Sequence, residues 1–394
     1  YEEIATPIFE FTEVFQRTLG DTSDIVTKEM YTFTDRGGEQ ITLRPEATAG
    51  IMRALISGGL SQNLPLKFFC AGPMFRYERP QKGRYRQFHQ IDIELLGVPD
   101  PLGDVEVIAV GAHILDALGI LGKATLELNT LGDSESRTAY RKALVGYLAK
   151  HRDGLSADSR SRLERNPLRI LDSKDEGDAK IVANAPIFFD YLNESSRDFF
   201  KKVQASLDAL GIAYRLNPRV VRGLDYYCHT VFEFTTTALG AQGAVIAGGR
   251  YDGLAETMGG PATPATGWAG GVERLAMLMS DAGTRLRPVA VIPVGPEAEA
   301  VALRVARDLR YAGITVELEF HGSLSRRMKR ANKIGARAAV LLGADELKRG
   351  AATLRYLDSG AQQVVPFDGL ARVLVDPGGE SQLVAQNAQL REEH

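Results

Sequence analysis

Three short stretches carry side chains whose types and spacing suit chemistry on a charged ligand. The first holds Arg76 and Glu78, then a polar loop, then Gln90, Asp92 and Glu94. Read as two extended segments, it places Arg76 and Glu78 on one face, and Gln90, Asp92 and Glu94 on one face of the return segment, because strand side chains alternate. Unpaired charge is too costly for a plain core face. Such a face either binds a ligand or meets solvent, and the apolar residues between suggest that the other side is already covered. The second stretch is Arg222, Gly223, Leu224, Asp225, Tyr226 and Tyr227, which runs into alternating apolar residues up to Phe234. A guanidinium at a pocket wall offers permanent charge and a planar fork for carboxylate or phosphate. By alternation the two tyrosines should face opposite sides, one lining a pocket and one packing beneath it. The third stretch runs from Gly267 through Trp268, Ala269, Gly270, Gly271, Val272 and Glu273 to Arg274. Small residues let a ligand approach the backbone. An arginine at a helix start opposes the helix dipole unless an anion sits there.

Elements to position these groups are legible. A helix is expected over 47–55, with Pro45 just ahead of it. Strands are expected over 68–77 and 88–96 as an antiparallel hairpin, followed by an amphipathic helix over 104–118. From about 134 to 218 the chain is highly charged and helical, with periodic runs at 140–151 and 195–210. Strand patterns return at 226 and continue to 247. After a linker at 285–288, the pattern alternates: strand 289–293, helix 297–311, strand 314–320, helix 323–334, strand 338–342. The expected fold class is α+β. Residues 1–133 and 219–287 form an antiparallel-sheet domain interrupted by a helical insertion at 134–218, and 288–394 form a smaller α/β domain. A chain of 394 residues is long enough for two or three such domains. Its 44% hydrophobic and 25% charged composition is that of a globular protein, and its net charge of −3 provides no global attraction for nucleic acid. Two distant cysteines, Cys70 and Cys228, exclude a disulfide framework and suit a reducing, cytoplasmic setting. No apolar run is long enough for a membrane span. The chain opens at Tyr1 in mid-pattern and reads as lacking its natural start.

Taken together, the three stretches resemble the class II aminoacyl-tRNA synthetases, and within them the histidyl-tRNA synthetase family. Arg76, Glu78 and Phe88 resemble the class II second motif, and Gly267 to Arg274 the third. Ala269 and Gly270 depart mildly, standing where the general pattern has glycine and then an apolar residue. Leu43, Arg44, Pro45, Glu46, Ala47 and Thr48 resemble one of two stretches particular to the histidine enzyme, and Arg222 to Tyr227 the other. The resemblance implies a class II antiparallel-sheet catalytic domain with a helical insertion, and a C-terminal anticodon-binding-like α/β domain. It implies activation of L-histidine by ATP to histidyl-adenylate and pyrophosphate, then transfer to the 3′ end of tRNA(His). ATP is then a substrate accompanied by Mg²⁺, with no zinc, no other metal site and no organic cofactor, and the protein is expected to be a homodimer with no membrane partner. The catalytic residues implied are Arg76, Arg222 and Arg274. ATP falls to Arg76, Glu78 and Arg274, and Arg222 faces Arg76 across the α-phosphate. Histidine falls to Glu46, Ala47, Thr48, Gln90, Glu94, Arg222, Tyr226 and Tyr227, with Glu94 and Tyr227 reading the imidazole.

Other features weigh less. Lys82, Arg84 and Arg86 surround Tyr85 at the hairpin tip, a composition suited to a nucleic-acid backbone and an end base, though an exposed basic turn would read the same way. Arg326, Arg330 and Lys333 form a basic stripe on a helix, which is either a solvated face or a tRNA contact. Residues 248–253 lack the Lys–Ser/Thr ending of a phosphate-binding loop; the resemblance makes them the family's glycine-rich strand turn bordering the histidine pocket, though a bland turn would read the same way. His89 is expected on the packed side of its strand, and the six histidines have no metal-ligand spacing. A regulatory paralogue that binds histidine without charging tRNA is the alternative; the C-terminal domain and intact Arg76, Arg222 and Arg274 speak against it.

Overall fold

The structure, a computed structural model, describes residues 1–19, 25–173, 175–221, 226–240, 243–280 and 286–375. The chain divides into two compact units, Tyr1–Ser280 and Asp281–His394.

The first unit is built on an eight-stranded sheet. Its order is Glu2–Glu3, Leu66–Phe75, Gln87–Leu96, Ala265–Gly271, Ala244–Arg250, Cys228–Thr235, Thr125–Thr130, Tyr214–Leu216. The two edge pairings are parallel and every inner pairing is antiparallel. One face packs on the helix Pro101–Ala117, which starts where Asp100 accepts a hydrogen bond from the Leu102 amide and Pro101 occupies the first turn. Ile93 and Leu95 bury there against Val107, Ile108, Phe232 and Trp268. The helix Glu194–Ala209 adds Phe200, Val203 and Leu207 to this core, and Tyr214–Leu216 then joins the sheet edge. Residues 194–216 are thus continuous with the sheet, while Ser134–Lys150, Ala157–Arg165 and Glu176–Val182 lie between. A separate antiparallel sheet joins Phe9–Phe11, Gln40–Leu43 and Tyr31–Thr34.

The second unit has a five-stranded sheet in the order Val316–Leu318, Val289–Pro293, Ala338–Leu342, Ala351–Tyr356, Gln362–Pro366. The first three are parallel, as the alternating pattern predicts, and the last two add antiparallel strands beyond the expected set. Helices Glu299–Tyr311 and Leu324–Lys333 flank the sheet.

Candidate active site

The expected hairpin is present as Leu66–Phe75 and Gln87–Leu96, and its return strand shows the predicted alternation. Gln90, Asp92 and Glu94 are buried on the face opposite the Pro101–Ala117 helix. Gln90 and Asp92 of this face line a cavity of about 400 Å³, and Glu94 lies behind them, outside its lining. Glu46, Thr48, Arg76, Glu78, Arg84 and Gln90 line it, as do Tyr226, Tyr227 and Arg274 from the other two stretches.

Acid dominates one region. Glu46 lies at the start of the helix Thr48–Ser57, where its Oε1 accepts the Ala49 amide at 2.7 Å. Burial raises its pKa, against that hydrogen bond, Thr48 and the nearby Arg76. Glu94 sits one layer deeper, 2% exposed. Its Oε1 accepts from the Thr48 hydroxyl at 2.5 Å and its Oε2 from the Tyr251 hydroxyl. Burial lifts its pKa to about 8; the two hydroxyls oppose the rise and Glu46 adds to it. Burial, then Glu94 and Glu46, hold Asp92 well above the ordinary carboxylate range.

The small residues of Ala265–Gly271 serve this packing. Gly267 pairs with Glu94, and a Cβ on it would lie 1.8 Å from Glu94 Oε2 and 2.3 Å from the Ile93 carbonyl. The missing side chain makes room for the carboxylate, not only for a ligand. Gly249 similarly leaves space for the Tyr227 ring, 3.0 Å from where its Cβ would stand.

Arginine dominates elsewhere. Arg76 donates Nε to the Pro45 carbonyl at 2.9 Å and lies over the Phe88 ring. Arg274, in the first turn of Val272–Leu278, donates to the Gly83 and Ala244 carbonyls, each at 2.9 Å. Burial and the like charge of Arg76 push Arg274 below the ordinary arginine value. Two cations that repel across a cavity wall form an arrangement that an anion would relieve.

Several expectations need correction. Tyr226 and Tyr227 do not face opposite sides. Both line the cavity with rings 4.6 Å apart, because the strand begins only at Cys228 and alternation does not reach them. Arg84 is turned inward, not out toward a nucleic acid. The loop reverses at Gly83, where φ is +71°, and Arg84 grips Glu78 through two nitrogens, one at 2.7 Å. Burial alone would raise the Glu78 pKa, but Arg84 and Arg76 hold it below the usual range. Lys82 and Arg86 remain exposed, with Arg86 over the Tyr77 ring. Ala47 packs into the apolar core and is not among the lining residues. His89 is exposed, its Nδ1 3.0 Å from Glu273 in the first turn of Val272–Leu278. Arg222 lies outside the described residues.

Three residues escaped the sequence reading. Tyr251, within the 248–253 turn expected to border the histidine pocket, was not itself singled out; it joins Tyr226 and Tyr227 in an aromatic cluster and holds Glu94. Arg169 lines the cavity from the helical stretch. Arg250, fully buried, clamps Asp104 at 2.7 Å and Asp252 at 3.0 Å just before Tyr251.

On the second unit, Arg326, Arg330 and Lys333 are exposed on Leu324–Lys333, with Arg330 3.3 Å from both Glu317 and Glu319. Arg337 lies beyond this helix and donates to the Leu374 carbonyl at 2.7 Å.

Comparison with known proteins agrees with this geometry. Residues 1–275 match the family model for histidyl-tRNA synthetase, and residues 288–376 match that for an anticodon binding domain. A histidine–tRNA ligase of Rhodospirillum rubrum is 62% identical over 366 residues, covering 93% of this chain and 88% of the relative. One from Gluconacetobacter diazotrophicus is 56% identical over 379 residues, covering 96% and 91%. The crystal structure of apo S. aureus histidyl-tRNA synthetase superposes with a TM-score of 0.77 at 34% identity, covering 94% of this chain and 90% of that one. With matching sequence and fold, the chain belongs to the histidyl-tRNA synthetase family.

Proposed function

We propose that the chain is a histidine–tRNA ligase, activating L-histidine with ATP and passing the histidyl group to the 3′ end of tRNA(His). The observation that carries this reading is a single cavity joining an acidic region to arginines. Buried carboxyls suit the donors of an ammonium and an imidazole; guanidinium groups suit a polyphosphate. The histidine carboxylate attacks the α-phosphorus, an adenylate forms and pyrophosphate leaves. Positioning and charge stabilisation supply the rate.

In this reading Arg76 holds the α-phosphate, Arg274 the γ-phosphate end and Glu78 the adenine side, with Arg222 opposite Arg76. Glu94 and Tyr227 read the imidazole, Tyr251 orients Glu94, and Glu46, Thr48, Gln90 and Tyr226 form the ammonium side. Mg²⁺ would arrive on the nucleotide, since one or two carboxylates beside phosphates suffice to hold it. Glu233 and Glu273 are wall carboxylates that fit that need. The reading requires no zinc and no organic cofactor. Lys82 and Arg86 on the hairpin, and Arg326, Arg330 and Lys333 on the second unit, are offered to tRNA.

A homodimer is part of the proposal. Phe9, Phe11 and Phe33 are about half exposed, while Glu10 between them turns inward to Arg53 at 2.6 Å. With Ile41 and Leu43 from the middle strand they form one apolar sheet face suited to a second copy. A cytoplasmic setting fits the two free cysteines. Among the described residues, no helix is long and apolar enough to cross a membrane.

ATP–pyrophosphate exchange with each of the twenty amino acids tests the reading. Exchange with histidine alone is expected. No exchange from a folded protein that binds histidine would move the assignment to the regulatory paralogue.

A further inference from the structure

The cavity wall carries one buried acid that the roles above leave unused. Asp92 lies on the strand face shared by Gln90 and Glu94, is 2% exposed and lines the cavity. Its cross-strand neighbours are Cys70 and Ala269, small side chains that need no carboxylate beside them. Its Oδ2 has no hydrogen-bond partner among the described residues. Two residues away the side-chain oxygen of Gln90, itself 9% exposed, has none either. Glu46 is close enough to act on Asp92 electrostatically from the start of Thr48–Ser57.

Buried acceptors left unpaired are costly, and a fold with no use for them would replace them by apolar groups. Glu94 has its two hydroxyl donors, so it is not in the same position. Three acceptor side chains, from Glu46, Gln90 and Asp92, therefore meet one cavity. An ammonium group has three N–H donors and no acceptor, which matches such a set. A neutral imidazole has one donor and one acceptor and would be mismatched there.

We propose that Asp92 is a further substrate-binding residue that accepts a hydrogen bond from the α-ammonium group of the amino-acid substrate, beside Gln90 and Glu46. The proposal rests on the amino-acid-activating reading above and adds a residue to it.

Asp92→Asn keeps the side-chain shape, removes the charge and turns a donor toward the ammonium. Calorimetry would compare wild type and variant with three ligands. These are histidine, histidinol (an ammonium without a carboxylate) and 3-(imidazol-4-yl)propionate (a carboxylate without an ammonium). The variant should bind histidine and histidinol about 10- to 100-fold more weakly, in line with loss of a charge-assisted hydrogen bond. Its affinity for the propionate should stay within about twofold, and its KM for ATP should not move. Equal losses for all three ligands, or none, would overturn the proposal. Because the substitution relieves a crowded buried carboxyl, the empty variant should melt no lower than wild type; should it fold poorly, Asp92→Ser takes the same comparison. Failure of wild type to bind histidine would overturn the underlying reading, and the proposal with it.

Discussion

The behaviour of the cavity depends on a few carboxyls kept from water. Glu94, at about 8, binds its proton more tightly in the folded chain than an ordinary glutamate near 4.5. The stability this contributes is complete below about 4.5 and is lost as pH rises toward 8. The melting temperature of the empty protein should therefore fall between pH 5 and 9, and Glu94→Gln should flatten that fall. An equally steep fall in the variant would remove Glu94 as its cause. The space beside this carboxylate is just as decisive. Gly267→Ala places a methyl on the carboxylate itself and on the Ile93 carbonyl, so one of them must move. It should cost about 1–3 kcal/mol in urea unfolding, and histidine should bind more weakly than to wild type.

Elements explain which of these groups could be read in advance. The strand Gln87–Leu96 was legible because strict alternation separates its polar face from Ile91, Ile93 and Leu95. Its covering helix was legible from its period, and the first three strands of the second unit from theirs. Tyr226 and Tyr227 escape the period-two rule because they precede the strand, which begins at Cys228. The inward turn of Arg84 is not legible in the sequence, because nothing local reveals that a hairpin tip folds back at Gly83 onto Glu78. The role of Arg250 was also hidden, since an arginine at a strand end is ordinarily exposed. Here it joins the start of the Pro101–Ala117 helix to the end of Ala244–Arg250, donating to Asp104, Asp252 and the carbonyls of Val98 and Asp100. Arg250→Met strands Asp104, whose pKa burial already raises to about 6 against the pull of Arg250. The loss should be about 3–5 kcal/mol, measured by denaturant unfolding. A loss below about 1 kcal/mol would show that the clamp is dispensable.

At the scale of the whole molecule, net charge says little and local surfaces say more. A chain with a net charge of −3 still presents the exposed cations of Leu324–Lys333. The sheet of Phe9–Phe11, Tyr31–Thr34 and Gln40–Leu43 presents the opposite kind of surface, with Phe9, Phe11 and Phe33 about half exposed among the described residues. Sedimentation should find wild type at twice the chain mass, and the double substitution Phe9→Asp with Phe11→Asp should bring it to a single chain. A wild-type monomer at micromolar concentration would count against pairing through this face. The strand that offers those phenylalanines keeps its glutamate locked inside on Arg53, so it cannot turn its polar side to water when a partner is missing. In the proposed homodimer solubility is a property of the pair: substitutions that loosen the association should announce themselves first as precipitate on dilution or heating, before any change in how histidine or ATP is held.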